Sequence, residues 1–143
     1  MTYPDAVEPD KVGSYPALSF AGGGYVWDEV LEYRVWCRSG AGPGDLADSG
    51  DHYYAFATFA EAQLASQALA GAQEPLALIL QRGYIDEIEP GMYRHVEQER
   101  VTEWPVEFLT RPQRDGRTIP DFLAPDAPPN RLEILRGQAP RPR

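Results

Sequence analysis

The first strand that the sequence strongly predicts carries three side chains of different chemistry on one face. Between Leu31 and Cys37, apolar residues alternate with Glu32, Arg34 and Trp36, and this period of two predicts a β-strand. The rise of a strand places these three side chains in a row, about 7 Å apart. Such a row can form the wall of a pocket in which the guanidinium pairs with an anion and the indole supplies an aromatic face. It can equally be a solvated ladder, in which Arg34 pairs with Glu32 or with an acid on a neighbouring strand.

Other reactive side chains do not form a recognised catalytic or metal-binding pattern. His52 and His95 are far apart, Cys37 is the single cysteine, and no zinc-ligand spacing is present, so we expect no metal site. The glycine triplet 22–24 lacks the Lys-Ser or Lys-Thr of a phosphate-binding loop and is interpreted as a flexible hinge. The glycine-rich stretch 38–51 follows Cys37, where acetyl-CoA-binding loops carry glutamine or arginine, and it is interpreted as a long loop.

A helix whose two ends are both marked in the sequence is best placed to support this strand. Thr58 can cap the first turn, and Glu61 stands three residues later, where it completes a capping box. Alanines fill the interior, and Gly71 ends the helix. β-prone runs at 53–57 and 76–80 flank it, so strand, helix and strand are predicted in succession. The face predicted to meet the sheet consists of Leu64, Ala65, Ala68 and Leu69.

Further strands are predicted after this unit. Residues 84–89, 92–96 and 99–104 are predicted strands, and the last two are expected to form a hairpin. Pro105 indicates an edge position or a bulge, because proline cannot donate a ladder hydrogen bond.

The two ends of the chain are predicted to lack long regular structure. Residues 1–24 are interpreted as an irregular segment and 25–110 as the core domain. Seven of the 14 prolines lie in residues 111–143, which predicts an extended tail. Asn130 and Glu133 can cap one short helix in that tail, at 131–136.

Length and composition limit the architecture and the compartment. A chain of 143 residues suits one domain with its own core. A single cysteine cannot form an intramolecular disulfide, and no signal peptide or membrane span is recognisable, so a cytoplasmic location is expected. Twelve of the 13 basic residues are arginine, a bias that fits GC-rich coding and indicates a bacterial source.

Charge is divided unequally along the chain. Residues 1–110 carry 18 acidic and six basic residues, whereas 111–143 carry four acidic residues and seven arginines. The acidic body repels phosphate backbones and anionic lipids, so we expect no nucleic-acid binding by the core domain and no membrane binding. The basic tail is expected to fold back on the acidic body of its own chain or of a neighbour, which makes it a candidate element for a homodimer.

Short stretches around the first strand and the helix resemble small bacterial ADP-ribosyltransferases, notably the rifampin-modifying type. Tyr33-Arg34-Val35-Trp36 stands where that family has Tyr-His-Gly-Thr, and Pro43-Gly44-Asp45-Leu46 matches its Pro-Gly-Asp-Leu loop. Tyr54-Ala55-Phe56-Ala57-Thr58 matches the Tyr-x-Phe-x-Thr strand that opens the family's helix. The resemblance covers about residues 31–88.

The resemblance implies that NAD is a substrate and that ADP-ribose is transferred to a small molecule or a macromolecule. Arg34 falls where the family holds the nicotinamide ribose, and other branches of the superfamily carry arginine there. Tyr53 or Tyr54 falls where an aromatic ring stacks on nicotinamide. A carboxylate should oppose the positive charge that develops on the ribose as nicotinamide leaves, and three residues remain open for that role. The candidate catalytic residues are therefore Arg34, Asp86, Glu87 and Glu107, and the candidate NAD-binding residues are Tyr33, Arg34, Trp36, Tyr53 and Tyr54.

Together these patterns predict a single α+β domain with a mostly antiparallel, bent sheet, one main helix and an extended C-terminal tail. Two functions from different classes follow. The first is an ADP-ribosyltransferase-like, NAD-binding protein. The second is a non-catalytic protein-interaction or regulatory module that acts through the aromatic strand face or the C-terminal tail.

Overall fold

A computed structural model describes residues 2–38 and 51–142 of the chain. Within these residues, strands and helices form one α+β domain, as the sequence predicts. The strands are β1 (Phe20–Ala21), β2 (Glu29–Cys37), β3 (His52–Phe56), β4 (Leu76–Gln81), β5 (Tyr84–Glu89), β6 (Met92–Val96) and β7 (Arg100–Pro105). The helices are α1 (Phe59–Ala68), α2 (Thr118–Leu123) and α3 (Arg131–Leu135), with 3-10 turns at Pro9–Lys11 and Val106–Thr110.

The main sheet has the strand order β1-β7-β4-β2-β3. Neighbouring strands are antiparallel, except that β1 runs parallel to β7. Because β2 lies between β3 and β4, the helix α1 connects two strands that are parallel to each other and crosses one face of β2. Residues of β2 alternate between this helix face and the opposite face, which carries the predicted chemistry.

The N-terminus of α1 is the one that the sequence predicts, whereas the helix ends at Ala68, three residues before the predicted stop at Gly71. The Thr58 hydroxyl accepts a hydrogen bond from the Glu61 amide at 3.2 Å and donates one to the Glu61 carboxylate at 3.0 Å. After the helix, Gly71 has a φ of +72°, and a Cβ there would lie 2.4 Å from the carbonyl oxygen of Arg38. Only glycine fits both the conformation and the space.

The predicted sheet-facing side of α1 is wrong for its two leucines and confirmed for Ala65. Leu64 and Leu69 are 68% and 36% exposed, whereas Ala62 is fully buried. Phe59, Ala62 and Ala65 pack against the core instead. The small side chains of Ala62 and Ala65 let the helix approach the sheet closely. The packing gained by this approach stabilises the fold more than burial of the two leucines would. The core beneath the helix consists of Trp27, Val30, Tyr33, Val35, Cys37, Ala77, Ile79, Trp104 and Leu109.

The predicted hairpin of 92–96 with 99–104 is also wrong. β6 pairs with β5 in a separate two-stranded sheet, and β7 instead enters the main sheet between β1 and β4. The turn of the observed hairpin is Pro90-Gly91, with Gly91 at a φ of +80°. Pro105 ends β7, opposite Leu76.

The glycine triplet is a packed turn and not a hinge. Gly22, Gly23 and Gly24 all have positive φ. The Gly23 carbonyl accepts hydrogen bonds from Gln81 Nε2 at 3.0 Å and from Trp104 Nε1 at 3.1 Å. A Cβ on Gly24 would lie 2.3 Å from Gln81 Nε2, so this segment is fixed by close approach.

The extended C-terminal tail is not confirmed. The short helix predicted at 131–136 is present as α3, but α2 was not predicted, because Pro120 argues against a helix. Pro120 stands in the first turn of α2, where a backbone N–H has no partner inside the helix. The two helices instead build a second core, which consists of Val26, Ile85, Ile119, Phe122 and Leu135.

Arginines of the C-terminal segment lie against the body of their own chain. Arg114 pairs with buried Asp28 at 2.6 Å. The guanidinium of Arg111 lies 4.3 Å from the centre of the Phe108 ring, and that of Arg131 lies 5.1 Å from the centre of the Tyr93 ring. Among these three contacts, the Arg114–Asp28 ion pair joins the basic segment to an acid of the body.

Candidate functional site

The candidate site built on β2 is a buried polar cluster, here called the Arg34 cluster (Glu32, Arg34, Trp36, Tyr53 and Glu103). The register of the sheet places Glu32 and Glu103 on either side of Leu78, on the face opposite α1. Arg34 lies between the two acids, with Nε 2.7 Å from Glu32 Oε2 and Nη1 3.1 Å from Glu103 Oε2. Arg34 and Glu32 are both fully buried.

Two aromatic rings complete the Arg34 cluster. The Arg34 guanidinium lies over the ring of Tyr53, 4.4 Å from its centre, within the range of a cation–π contact. Trp36 Nε1 donates to Glu103 Oε2 at 2.8 Å, and the Trp36 and Tyr53 rings are 4.8 Å apart. Guanidinium, indole, phenol and carboxylate therefore converge at one place.

Residues 13–17, here called the N-terminal strap, cover this cluster with backbone atoms. Arg34 Nη2 donates to the Pro16 carbonyl at 2.6 Å, and Nη1 donates to the Ala17 carbonyl at 3.2 Å. The Gly13 amide donates to Glu32 Oε1 at 2.8 Å, and the Tyr53 hydroxyl donates to the Tyr15 carbonyl. Each guanidinium nitrogen of Arg34 thus has an acceptor within the protein.

The charge balance of the Arg34 cluster disfavours a phosphate-bearing ligand. Two carboxylates, Glu32 and Glu103, face one guanidinium, so the ionised cluster is negative overall. An anion would have to displace the strap carbonyls and approach these two acids without a compensating cation. With the strap in place, the cluster chiefly holds the strap against the sheet.

Two of the predicted NAD-binding tyrosines lie elsewhere. Tyr33 is on the α1 face of β2, where its hydroxyl donates to the Pro4 carbonyl and burial raises its pKa. Tyr54 is half exposed, and its ring lies 5.5 Å from that of His52. Both belong to the strand positions that alternate with Arg34 and Tyr53, so neither ring joins the Arg34 cluster.

The three predicted carboxylates are also outside the Arg34 cluster. Asp86 pairs with Arg94 across the β5–β6 hairpin at 3.1 Å. Glu87 accepts hydrogen bonds from the Gly91 amide and the Tyr25 hydroxyl, and these bonds lower its pKa. Glu107 is an exposed residue in the first turn after β7. Besides Glu32, the carboxylate that meets Arg34 is Glu103, which the sequence did not identify because the pairing of β7 with β4 was not predicted.

A second site, which sequence reasoning missed, lies in the C-terminal segment. We call it the C-terminal cleft. It is a cavity of about 570 Å³ between α2, α3 and the last residues of the described chain, large enough for a drug-sized ligand or several peptide residues. Its apolar wall includes Phe122, Ile134 and Leu135, and its charged groups include Asp115, Arg117 and Arg141.

Asp115 is the most strongly held carboxylate of the cleft. Its Oδ1 accepts hydrogen bonds from the Arg117 amide at 2.8 Å and the Thr118 hydroxyl at 3.1 Å, and its Oδ2 lies 3.1 Å from Arg141 Nη1. The Arg117 amide, followed by Arg141, lowers the pKa of Asp115 to about 2. The cleft therefore presents a stable negative charge at ordinary pH.

The Pro43-Gly44-Asp45-Leu46 part of the family resemblance lies outside the described residues. Comparisons of the chain with protein-family models, curated proteins and solved structures found no match. Among residues 2–38 and 51–142, no helix combines the length and apolar character needed to cross a membrane. In the same residues, no group of three His, Cys, Asp or Glu side chains is arranged to hold a metal ion. Function must therefore be inferred from the geometry of the two sites.

Proposed function

We propose that this protein is a non-catalytic protein-interaction module that acts through its C-terminal segment, with the C-terminal cleft as the contact surface. The observation that carries the proposal is the contrast in access between the two sites. Arg34 has no exposed surface and has acceptors on all three guanidinium nitrogens. The C-terminal cleft is an open cavity with both apolar and charged walls.

The composition of the cleft suits a segment of another protein. Phe122 and Leu135 offer an apolar floor, while Asp115 and Arg117 at the rim offer charges of both signs. An apolar centre with a polar rim is the usual anatomy of a protein interface. Phe122 and Leu135 lie on α2 and α3, and Asp115 and Arg117 directly precede α2, so the surface is formed before a partner arrives.

Site-directed photocrosslinking in the cells that make the protein tests this function. A photoreactive residue at Ala127, which lines the cleft, should give adducts of defined mass with a partner protein. The matched control is the same residue at Gln67, which lines a separate cavity beside α1. Identical adducts at both positions, or none at position 127, would refute the interaction function.

ADP-ribose transfer is the second candidate, and one observation favours it. Arg34, Trp36, Tyr53 and the Glu103 carboxylate converge, as a site for NAD would require. In this proposal Arg34 holds the ribose hydroxyls, Tyr53 faces the nicotinamide and Glu103 opposes the charge that develops on the ribose. The N-terminal strap would have to leave before NAD could enter.

Calorimetric titration of NAD into the full chain tests the second candidate. The control variant is Arg34→Lys, which keeps the positive charge but loses the planar fork that engages two acceptors. Saturable heat that is lost in Arg34→Lys supports NAD binding at the Arg34 cluster. An absence of heat at millimolar NAD removes this candidate and leaves the interaction function in place.

A further inference from the structure

The end of the described chain forms one wall of the C-terminal cleft. After α3, Gly137 has a φ of +75° and turns the backbone, and the Gln138 amide then donates to the Glu133 carbonyl at 2.7 Å. Residues 138–142, here called the terminal segment, return toward the start of α2, where Ala139, Arg141 and Pro142 line the cleft. A short stretch of the chain's own peptide thus already lies against the helices.

The terminal segment is held chiefly by one side chain. Arg141 Nη1 lies 3.1 Å from Asp115 Oδ2, and its Nη2 lies 3.5 Å from the Thr118 hydroxyl. Asp115 and Arg141 are 55% and 36% exposed, and ion pairs with this exposure contribute little to stability. The segment is therefore seated in the cleft in the manner of a ligand that can be replaced.

We propose that the C-terminal cleft binds an extended, arginine- and proline-containing segment of a partner protein, in place of the chain's own terminal segment. This inference rests on the interaction function proposed above. Asp115 is the recognition group, because Arg117 and Thr118 fix Oδ1 and leave Oδ2 to accept a guanidinium. Proline residues on either side of the arginine keep such a segment extended before it binds, which lowers the entropy lost on binding.

Charge complementarity explains how a partner can displace a segment that is tethered to the cleft. The tethered segment acts at a local concentration on the order of millimolar. A free peptide with the same five residues therefore has no advantage over it in competition for the cleft. Asp126 also lines the cleft, and Asp121 lines it as the partner of Arg117. A partner segment with a second basic residue can reach Asp126, and it then makes a contact that the terminal segment does not supply.

Peptide binding to the full chain and to Arg141→Ala tests the inference. The probe is a labelled peptide with the sequence of residues 137–143, GQAPRPR, followed by fluorescence anisotropy. Because Arg141→Ala removes the internal competitor, we expect its affinity for the peptide to exceed that of the unchanged chain by about threefold or more. A peptide with alanine in place of both arginines should bind about tenfold more weakly, since it cannot pair with Asp115.

Two further chains act as matched controls. Asp115→Asn, with its fold verified by circular dichroism, should weaken peptide binding about two- to fivefold, because the amide keeps the shape but loses the charge. Arg94→Ala should bind within about twofold of the unchanged chain, since its ion pair with Asp86 lies on the β5–β6 hairpin and outside the lining of the cleft.

Three results would overturn the inference. The first is that the arginine and alanine peptides bind Arg141→Ala equally or not at all. The second is a dimer that depends on Arg141 in sedimentation experiments, because the occupant would then be a second copy of this chain. The third is a partner cross-linked at position 127 through a segment without arginine, which would overturn this inference alone and leave the interaction function standing.

Discussion

The N-terminal strap and the terminal segment each fold back onto a charged side chain, but one of these side chains is buried and the other is exposed. The N-terminal strap supplies backbone carbonyls to Arg34, which is inaccessible to solvent. The terminal segment supplies one guanidinium to Asp115, at a surface that water reaches. Charge interactions are stronger where water is excluded and weaker where it is present. The strap is therefore held from below by fully buried groups although most of its own residues are exposed, whereas the terminal segment can be exchanged.

Substituting Arg34 should have the largest effect on stability. Arg34→Met would leave Glu32 and Glu103 facing each other without a cation, and the strap carbonyls would lose their donors. We expect a loss of about 3 to 5 kcal/mol in the free energy of unfolding, as for other broken buried ion pairs. Urea unfolding measures it.

Arg94→Ala is the control for Arg34→Met. Its ion pair with Asp86 lies on the exposed face of the β5–β6 hairpin, and its removal should cost about 0.2 to 1 kcal/mol. Equal losses for the two variants would show that the Arg34 cluster is solvated, and the contrast between the two ends would then fail.

Leucine truncation distinguishes a folded C-terminal segment from an extended tail. Leu135 belongs to the second core, so Leu135→Ala should cost about 2 to 5 kcal/mol. The same change at exposed Leu64 in α1 should shift stability by about 0.5 kcal/mol or less. Thermal unfolding of both variants gives the comparison. A smaller loss at Leu135 than at Leu64 would contradict both the packed segment and the corrected face of α1.

Adding a methyl group to the glycine turn tests how tightly the N-terminal region is held. A Cβ on Gly24 requires a left-handed conformation and meets Gln81 Nε2 at 2.3 Å. Gly24→Ala should therefore cost about 2 to 4 kcal/mol, from backbone strain and overpacking together. Gly22 has a similar φ but no atom within 4 Å of such a Cβ, so Gly22→Ala should cost about 1 to 2 kcal/mol. Equal losses by chemical denaturation would indicate that the turn is mobile.

Local signals in the sequence predicted the elements that depend on neighbouring residues. The N-cap at Thr58, the left-handed turn at Gly71 and the alternation in β2 each involve residues within one turn or one strand. The predicted face of α1 failed because hydropathy alone favours Leu64 over Ala62. The contact with the sheet depends on how closely the helix can approach, and the small side chain of Ala62 permits the shorter distance.

The composition of the candidate site required long-range information. Arg34 meets Glu103, which is 69 positions away in the chain, and Ala17, which is 17 positions away. The sequence suggested that Arg34 would pair with an acid, but it could not select Glu103 while β7 was assigned to a hairpin with β6. The C-terminal cleft was missed for a related reason, because the prolines of 111–143 indicated an extended chain, in which Ile119 and Phe122 would be apolar anchors and not one face of a helix.

The smallest expected effect is a change in the pKa of Asp115. This pKa reports directly on whether the terminal segment contacts Asp115. The pKa of Asp115 in the folded chain, about 2, lies below the ordinary value of 3.8. The ionised carboxylate therefore stabilises the folded state above pH 4, and this contribution is lost as the pH falls toward 2. In Arg141→Ala the pKa should rise, yet stay below the ordinary value, because the Arg117 amide makes the largest contribution. Arg117→Ala keeps that amide and should leave the pKa unchanged. NMR titration of the Asp115 carboxyl carbon measures this pKa in both variants. A pKa that does not change in Arg141→Ala would mean that the terminal segment does not lie against Asp115 in solution.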